Sequence, residues 1–393
     1  MKTLIISALI FMAISVKAAV GVDAKIDALF RDFDHPNAPG ASVMVVHNGK
    51  SIFAKGYGLA NLESKTPCTI NTDFRLASVT KQFTAMAIMM LVEDKKLMLD
   101  ECLTNFFPEF PAYGKHITVR HLLTHTSGLL EYEDLIPEGT KIPVLDRDVL
   151  RVLMDRTGDA PGSGVHAVAW TEDTAKNQAT LQEELKKKSA GASVQKKPTT
   201  FFPPGTQFRY SNTGYSLLAL IVEARSGQTF ARFLHDHIFE PLKMTQTLAY
   251  EQGLSIVPNR AYGHAQGPSG WQRTDQSLTS SVLGDGGVYS SVTDLFKWDQ
   301  ALYKSKLVSE PMLRVAFSPA IVTDRPGRSY GFGWFISEYR SVKEISHSGD
   351  TIGFRTRIAR FPDKKFSVII LANRADAKLE ELPHKIADLV LFP

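Results

Sequence analysis

The chain has 393 residues, of which 44% are hydrophobic and 22% are charged, a composition typical of globular proteins rather than disordered or fibrous ones. Its 45 Lys and Arg residues against 41 Asp and Glu residues leave a formal charge of +4 at pH 7. Because nucleic-acid binding needs a basic patch or stripe, this weak and dispersed charge does not predict a nucleic-acid partner.

Residues 1–18 predict a cleaved export signal. Lys2 precedes an apolar run from Leu4 to Val16, and Val16 and Ala18 supply the small residues that a signal peptidase recognises. The alternative is an N-terminal membrane anchor, but the run is shorter than the ~20 residues of a membrane span. We therefore expect a periplasmic or extracellular protein without stable membrane insertion.

Cys68 and Cys102 are the only two cysteines. An oxidising compartment permits a disulfide between them, whereas two unpaired and buried thiols are the simpler interpretation.

Residues 19–75 and 320–393 predict a sheet flanked by terminal helices. An amphipathic helix over Asp23–Phe33 precedes two strands, Ala41–His47 and Ser51–Gly58, which flank the hairpin dipeptide Asn48-Gly49. The C-terminal part predicts further strands and a last helix, over Gly331–Glu338, Lys343–Ser348, Thr351–Phe361, Phe366–Asn373 and Leu379–Leu391. Since neither group of strands buries a face well alone, we expect the two groups to join in one antiparallel sheet.

Residues 76–319 between them predict an inserted helical domain. The helical periodicity is found over Ser78–Glu93, His121–Thr124, Asp146–Arg156, Tyr215–Arg225, Phe230–Ile238 and Val292–Tyr303. Residues 158–198 are polar and Lys-rich and predict a surface insertion, either a solvated loop or a lid, with a capping-box spacing over Thr180–Glu183 that favours a short helix.

Ser78-Val79-Thr80-Lys81 begins the most apolar helical segment in the chain. Three residues apart at a helix start, the amine can reach the hydroxyl and activate it as a nucleophile, while the free backbone N–H groups there suit an oxyanion. A second match, Ser193 to Lys196, lies in the polar insertion without an apolar helix behind it, and we assign it no role.

Two further segments carry candidate site residues. Tyr210-Ser211-Asn212 follows a Pro-Pro-Gly turn; it is either a capping turn with a packed tyrosine, or a phenol that shuttles a proton beside an asparagine that holds a substrate amide. His347-Ser348-Gly349 lies on a predicted strand, where glycine would let a substrate backbone approach and the Asp350 N–H would complete an oxyanion hole with that of Ser78.

With these three segments in this order, the chain resembles the penicillin-recognising serine hydrolases, which include class C β-lactamases, low-molecular-weight DD-peptidases, and esterase and D-aminopeptidase relatives. The likeness extends over nearly all of the mature chain and includes Ile117–Leu129 and Gly286–Ser291. It implies a β-lactamase/transpeptidase-like α/β (α+β) fold, with a five-stranded antiparallel sheet and an all-helical insertion.

The resemblance also implies roles for single residues. Ser78 is the acylated nucleophile, Lys81 and Tyr210 handle the proton, and Asn212 and His347-Ser348-Gly349 contact the substrate. Whether Lys81 or Tyr210 is the acylation base stays open. No metal or cofactor is implied, the expected partner is a small-molecule or peptide substrate, and the oligomeric state is not predicted.

The chain departs from class C β-lactamases at His347, where they usually carry lysine. With a pKa near 6.5, this histidine would be partly cationic, so its recognition of a substrate carboxylate should weaken as the pH rises. This favours a DD-peptidase or an esterase relative over an efficient β-lactamase.

The sequence also bears on three other classes of function. His121 and His125 are four residues apart and could ligate zinc, but a third ligand at a metalloprotease spacing is missing. An α/β-hydrolase is disfavoured because the sequence has no Gly-x-Ser-x-Gly segment. A catalytically silent wall-binding or partner-binding protein would use the same fold, against which the intact Ser78, Lys81 and Tyr210 argue.

Overall fold

The computed structural model describes residues 21–155 and 199–393. The predicted export signal, the 158–198 insertion, the capping box at Thr180–Glu183 and the second Ser-x-x-Lys match lie outside the described residues, and those predictions stay untested.

Strands from both ends of the chain form one antiparallel sheet, as predicted. In spatial order its eight strands are Ile321–Val322, Ser329–Tyr330, Phe335–Tyr339, Val342–Thr351, Phe354–Phe361, Phe366–Ala372, Ala41–His47 and Lys50–Tyr57. The predicted count of five is therefore wrong. Six of the eight strands correspond to segments predicted as strands above, and the other two, at one edge, are two-residue pairings too short to show alternation in the sequence.

The Asn48-Gly49 hairpin is confirmed. His47 pairs with Lys50, and both turn residues have positive φ, at 53° for Asn48 and 75° for Gly49. Positive φ at both positions matches the twist of the flanking strands, which is why this dipeptide predicts a hairpin.

The two faces of the sheet bury two separate hydrophobic clusters. Val43 and Val45 point to the outer face, where they pack with Ile26 of the helix over residues 21–29 and with Ile386 of the last helix. The alternate residues, such as Met44, join the larger cluster on the inner face, which the helices of the middle segment complete. This alternation follows from the period of two in a strand.

The middle segment is mostly helical. Its helices of four or more residues are Ala77–Thr80, Lys81–Glu93, Leu103–Phe106, Ala112–His116, Val119–Leu123, Asp146–Met154, Asn212–Ser226, Phe230–Leu234, His235–Phe239, Leu283–Gly286, Val292–Ala301 and Glu310–Ala316, and Leu382–Leu391 closes the chain. It is not all-helical as predicted, because Phe74–Arg75, Val288–Ser290 and Leu248–Ala249 form a small sheet and His264–Gly267 pairs with Gly270–Arg273.

Cys68 is buried, Cys102 is partly buried, and neither is in a disulfide. Of the two interpretations of the cysteines, the structure therefore supports unpaired thiols. Within residues 21–155 and 199–393, helices of the length and apolar character needed for a membrane span are absent.

Candidate active site

Ser78 lies in a 3-10 turn, Ala77–Thr80, that leads directly into the buried helix Lys81–Glu93. Ala77, immediately before it, has φ +47°, a conformation that residues with a Cβ seldom adopt. Such strain persists only where the surroundings impose it, and it is common at functional sites. The serine hydroxyl is thus presented at the start of a core helix, as the sequence predicts.

Lys81 is fully buried and contacts Ser78. Its Nζ lies 3.1 Å from Ser78 Oγ and donates to Asn212 Oδ1 and to the Asp285 carbonyl oxygen, both at 2.8 Å. The three contacts use all three donor positions of an ammonium group. The predicted Ser-Lys pair is therefore formed, and Asn212 joins it from a distant part of the chain.

The Tyr210 ring packs beside the same amine. Lys81 Nζ lies 5.0 Å from the centre of the ring, and His125 packs on Tyr210 at a tilt, with the ring centres 4.3 Å apart. The Tyr210 hydroxyl is buried and has no hydrogen-bond partner among the described residues. The tyrosine is thus in the site, whereas its role in proton transfer stays a prediction.

Asn212 is held at both ends of its side-chain amide. It begins the helix Asn212–Ser226, whose N-cap Ser211 accepts from the Gly214 N–H at 3.2 Å. Its Oδ1 faces Lys81, and its Nδ2 donates to Glu133 Oε1 at 2.8 Å. Asn212 thus contacts Lys81 and Glu133, and the predicted contact with a substrate amide, for which a second Nδ2–H exists, stays a prediction.

His347 lies on strand Val342–Thr351 and is buried, with 1% of its surface exposed. Its Nδ1 is 2.7 Å from the Ser348 carbonyl oxygen, and its Nε2 is 3.0 Å from the Tyr330 hydroxyl. Since a carbonyl only accepts, Nδ1 carries a proton, and in the neutral ring Nε2 then accepts from Tyr330. Burial, reinforced by Lys81, lowers the pKa of His347 to about 3. The expectation of a partly cationic histidine is therefore wrong.

Gly349 lets this strand pack against the nucleophile turn. A Cβ there would overlap the Leu76 carbonyl oxygen and Thr356 Oγ1 and would lie 3.1 Å from the Ser78 nitrogen. Contact with the protein's own chain therefore already requires glycine here, and the substrate contact predicted for this residue stays a prediction.

Among the described residues, no strand pairs with this edge beyond Ser346, because strand Phe335–Tyr339 pairs with Val342–Thr351 only as far as that residue. Ser348 and Asp350 follow on this edge, and the exposed Asp350 side chain pairs with Arg355 at 3.1 Å. Because Gly349 is the residue that packs against the Ser78 turn, the backbone of Asp350 lies one residue from that contact.

The sequence analysis missed a group of acidic residues behind the amine. Glu131 and Glu133 bind the start of the Asn212 helix, and Tyr132 donates to Asp285 Oδ2 at 3.0 Å. Burial raises the pKa values of Glu131 and Asp285 to about 7 each. In the sequence, the only indication that these residues belong to the site is that they lie next to the Ile117–Leu129 and Gly286–Ser291 segments.

His121 and His125 do not share a helix face, as zinc ligation would need. Helix Val119–Leu123 ends between them, and His125 has φ +58°. His121 Nδ1 accepts the Thr118 N–H at 3.2 Å, and His125 Nδ1 accepts the Ser211 N–H at 3.0 Å. His125 thereby supports the Tyr210 segment from a buried position.

One group of three potential metal ligands occurs in the described ranges, namely His235, Asp236 and Glu240, with ligand atoms within 4.8 Å of one another. Asp236 already binds His235, Arg232 and Gln228 through its two oxygens. None of the hydrogen bonds of these three side chains in the described ranges reaches Ser78, Lys81, Tyr210 or Asn212.

Comparisons with known proteins agree with this site. The sequence matches the Beta-lactamase family over residues 26–391. It is 30% identical over 383 residues to a penicillin-binding protein of Bacillus subtilis (strain 168), covering 93% of this chain and 75% of that protein. It is 25% identical to a D-aminopeptidase of Brucella anthropi, covering 90% of this chain and 59% of that protein.

Among solved structures, the octameric penicillin-binding protein homologue from Pyrococcus abyssi superposes with a TM-score of 0.70 and 26% identity. The match covers 94% of this chain and 77% of that one. A family match over almost the whole chain, a shared fold and the paired Ser78 and Lys81 all agree, and the chain belongs to the Beta-lactamase family of serine hydrolases.

Proposed function

We propose that this chain is an exported hydrolase that cleaves an amide or ester bond through an acyl-enzyme on Ser78, acting on a D-Ala-D-Ala peptide or a β-lactam-like substrate. The main observation in support of catalysis is the set of three contacts that Lys81 Nζ makes, to Ser78 Oγ, Asn212 Oδ1 and the Asp285 carbonyl oxygen. The proposal of export rests on the sequence of residues 1–18.

The geometry around Lys81 suits a general base. Asn212 Oδ1 and the Asp285 carbonyl oxygen can only accept hydrogen bonds, so they take two N–H groups of the amine. To act as the base, Lys81 must be in its neutral form, in which the third donor position is replaced by a lone pair. The lone pair then faces Ser78 and accepts the proton of its hydroxyl, which is the first requirement for activating a serine.

The reaction follows in two steps. Ser78 Oγ forms a bond to the carbonyl carbon while its proton passes to Lys81 Nζ; the bond to the leaving group breaks, and the leaving group takes up that proton, directly or through Tyr210. A water molecule then hydrolyses the ester, which releases the acid and restores the Ser78 hydroxyl. The N–H groups of Ser78 and Asp350 are the proposed oxyanion donors.

A substrate carboxylate would need a cation other than His347. Arg328 is half-buried, with its guanidinium 3.5 Å from the centre of the Phe335 ring, and Phe335 lies 5.1 Å from the His347 ring centre. Burial, together with Arg357 and Arg325, lowers the pKa of Arg328 to about 10. Since it forms no ion pair within the described ranges, an anionic substrate group would be favoured there.

Two alternatives remain proposals of lower rank. A carboxylesterase or D-aminopeptidase on the same fold is favoured by the neutral His347, because it removes one cation for a substrate carboxylate, and by the similarity to a D-aminopeptidase. A catalytically silent cell-wall-binding or partner-binding protein would keep the fold without turnover, and the completed contacts of Lys81 argue against it.

The test uses purified protein with a chromogenic cephalosporin, a p-nitrophenyl ester and a diacyl D-Ala-D-Ala peptide. We expect turnover of at least one substrate and covalent labelling by a fluorescent penicillin. Both should be lost in Ser78→Ala with an unchanged melting temperature, and both should persist in Ser51→Ala, an exposed serine in strand Lys50–Tyr57. Turnover retained by Ser78→Ala would refute the assignment, and a native protein that is neither labelled nor active would favour the silent alternative.

A further inference from the structure

Residues Glu131, Tyr132 and Glu133, here called the Glu131–Glu133 segment, send their side chains to different parts of the site. The segment begins the short 3-10 helix Tyr132–Asp134, with Glu131 as its N-cap. Tyr132 is buried, whereas the Glu133 side chain is exposed. None of these side chains contacts Ser78 or Lys81 directly, yet all three contact groups that do or that carry them.

Glu133 fixes the orientation of the Asn212 amide. Its Oε1 accepts from Asn212 Nδ2 at 2.8 Å, and a carboxylate can only accept. The amide oxygen is therefore turned toward Lys81, which donates to it at 2.8 Å. If the amide were reversed, its NH₂ would face the N–H groups of Lys81, and two donors would oppose each other.

Tyr132 fixes the second acceptor of Lys81. Its hydroxyl donates to Asp285 Oδ2 at 3.0 Å, while the carbonyl oxygen of the same Asp285 accepts from Lys81 at 2.8 Å. From the other side, Asp146 accepts the N–H groups of Leu283 and Gly284 at 2.8 and 3.1 Å. The turn that carries the Asp285 carbonyl is thus held on both sides.

Glu131 anchors the start of the Asn212 helix. Its Oε2 accepts the Asn212 N–H at 3.0 Å, where a carboxylate is favoured by the positive end of a 15-residue helix. The Tyr132 N–H adds a second link, to Thr213 Oγ1 at 2.8 Å. The position of Asn212 therefore depends on the segment through both backbone and side chain.

We propose that the Glu131–Glu133 segment positions Lys81 as the base for acylation of Ser78. By holding Asn212 Oδ1 and the Asp285 carbonyl against two N–H groups of the amine, it directs the third position of Lys81 toward Ser78 Oγ. The inference rests on the proposed function, and it assigns these residues to positioning rather than to contact with the substrate.

The decisive comparison is Glu133→Ala with Glu133→Gln. Glutamine retains an acceptor oxygen for Asn212 Nδ2, whereas alanine leaves the amide free to reverse. We expect Glu133→Ala to lower kcat for a p-nitrophenyl ester about 100-fold, the loss typical of a misplaced catalytic group, with KM within about threefold of native. Glu133→Gln should recover most of the rate. Asp134→Ala is the matched control, since Asp134 is exposed and its side chain has no partner within the described ranges.

Each outcome of these measurements either supports or overturns the proposed positioning role. A native rate in Glu133→Ala overturns the inference, and so does a Glu133→Gln variant as slow as Glu133→Ala, because orientation of the amide would then not matter. If Glu133→Ala fails to fold by its melting temperature, Tyr132→Phe takes its place: it keeps the ring and removes only the bond to Asp285. A reduced kcat in Tyr132→Phe supports positioning, and an unchanged kcat refutes it. Failure of the proposed function gives a different result, a native protein without Ser78-dependent hydrolysis.

Discussion

Replacing Asp73 by asparagine should make the stability of the protein much less sensitive to pH. Asp73 precedes strand Phe74–Arg75, four residues before Ala77, and has 0% of its surface exposed. Neither carboxyl oxygen has a hydrogen-bond partner among the described residues. Burial, together with the nearby Asp294, raises the pKa of Asp73 from 3.8 to about 8. The folded protein therefore holds this group protonated at neutral pH.

The size of the effect follows from proton linkage. Because the folded-state pKa lies above the unfolded value, the folded state keeps between pH 3.8 and about 8 a proton that the unfolded chain has already released. The contribution of Asp73 to stability is thus present at low pH and is lost as the pH rises, by about 1.4 kcal/mol per unit. Between pH 5 and pH 7, both inside this window, the loss is about 3 kcal/mol.

The assay is urea denaturation of the native protein and Asp73→Asn at pH 5 and pH 7. Other titrating groups are common to both proteins, so the difference between their pH dependences isolates Asp73. We expect the variant to lose about 3 kcal/mol less than the native protein over this interval, and Asp134→Asn, at an exposed position, to behave as native. Equal pH dependences for native protein and Asp73→Asn would refute the reasoning.

Two further predictions concern the site. Gly349→Ala should lower the free energy of unfolding by about 1 to 3 kcal/mol and slow acylation, because its Cβ would overlap the Leu76 carbonyl. Gly286→Ala is the control, since its Cβ would come no closer than 3.5 Å to Ala77. Equal melting temperatures for the two variants would contradict the packing argument. Arg328→Gln should raise KM about tenfold for a substrate with a carboxylate and leave a neutral ester unaffected, and an equal change for both would exclude the proposed contact.

The Ser78 and Lys81 pair was predictable because its geometry is local. Residues three apart at the start of a helix face each other whatever the rest of the chain does, and the apolar run after Lys81 placed that helix in the core. The joining of both termini in one sheet was predictable for a different reason: each group of strands is too small to bury a face well alone.

The properties of His347 and Asn212 were not predictable, since they depend on residues far away in sequence. The charge of His347 is set by its burial and by Lys81, and its second nitrogen bonds to Tyr330, 17 residues earlier. Asn212 meets Glu133, 79 residues earlier in the chain. A motif identifies such residue types but not what the fold places against them.

The position of the nucleophile at the junction of sheet and helices explains how its strained turn is maintained. Thr356 of the large sheet donates to the Leu76 carbonyl at 2.7 Å, and the Leu76 N–H donates to the Val288 carbonyl at 2.8 Å. The Val288 N–H donates to Thr80 Oγ1 at 3.2 Å, so hydrogen bonds hold the turn on both sides of Ala77. Because these bonds come from two sheets, the positive φ of Ala77 is imposed by their relative packing. Displacement of either sheet would therefore move the Ser78 hydroxyl away from Lys81.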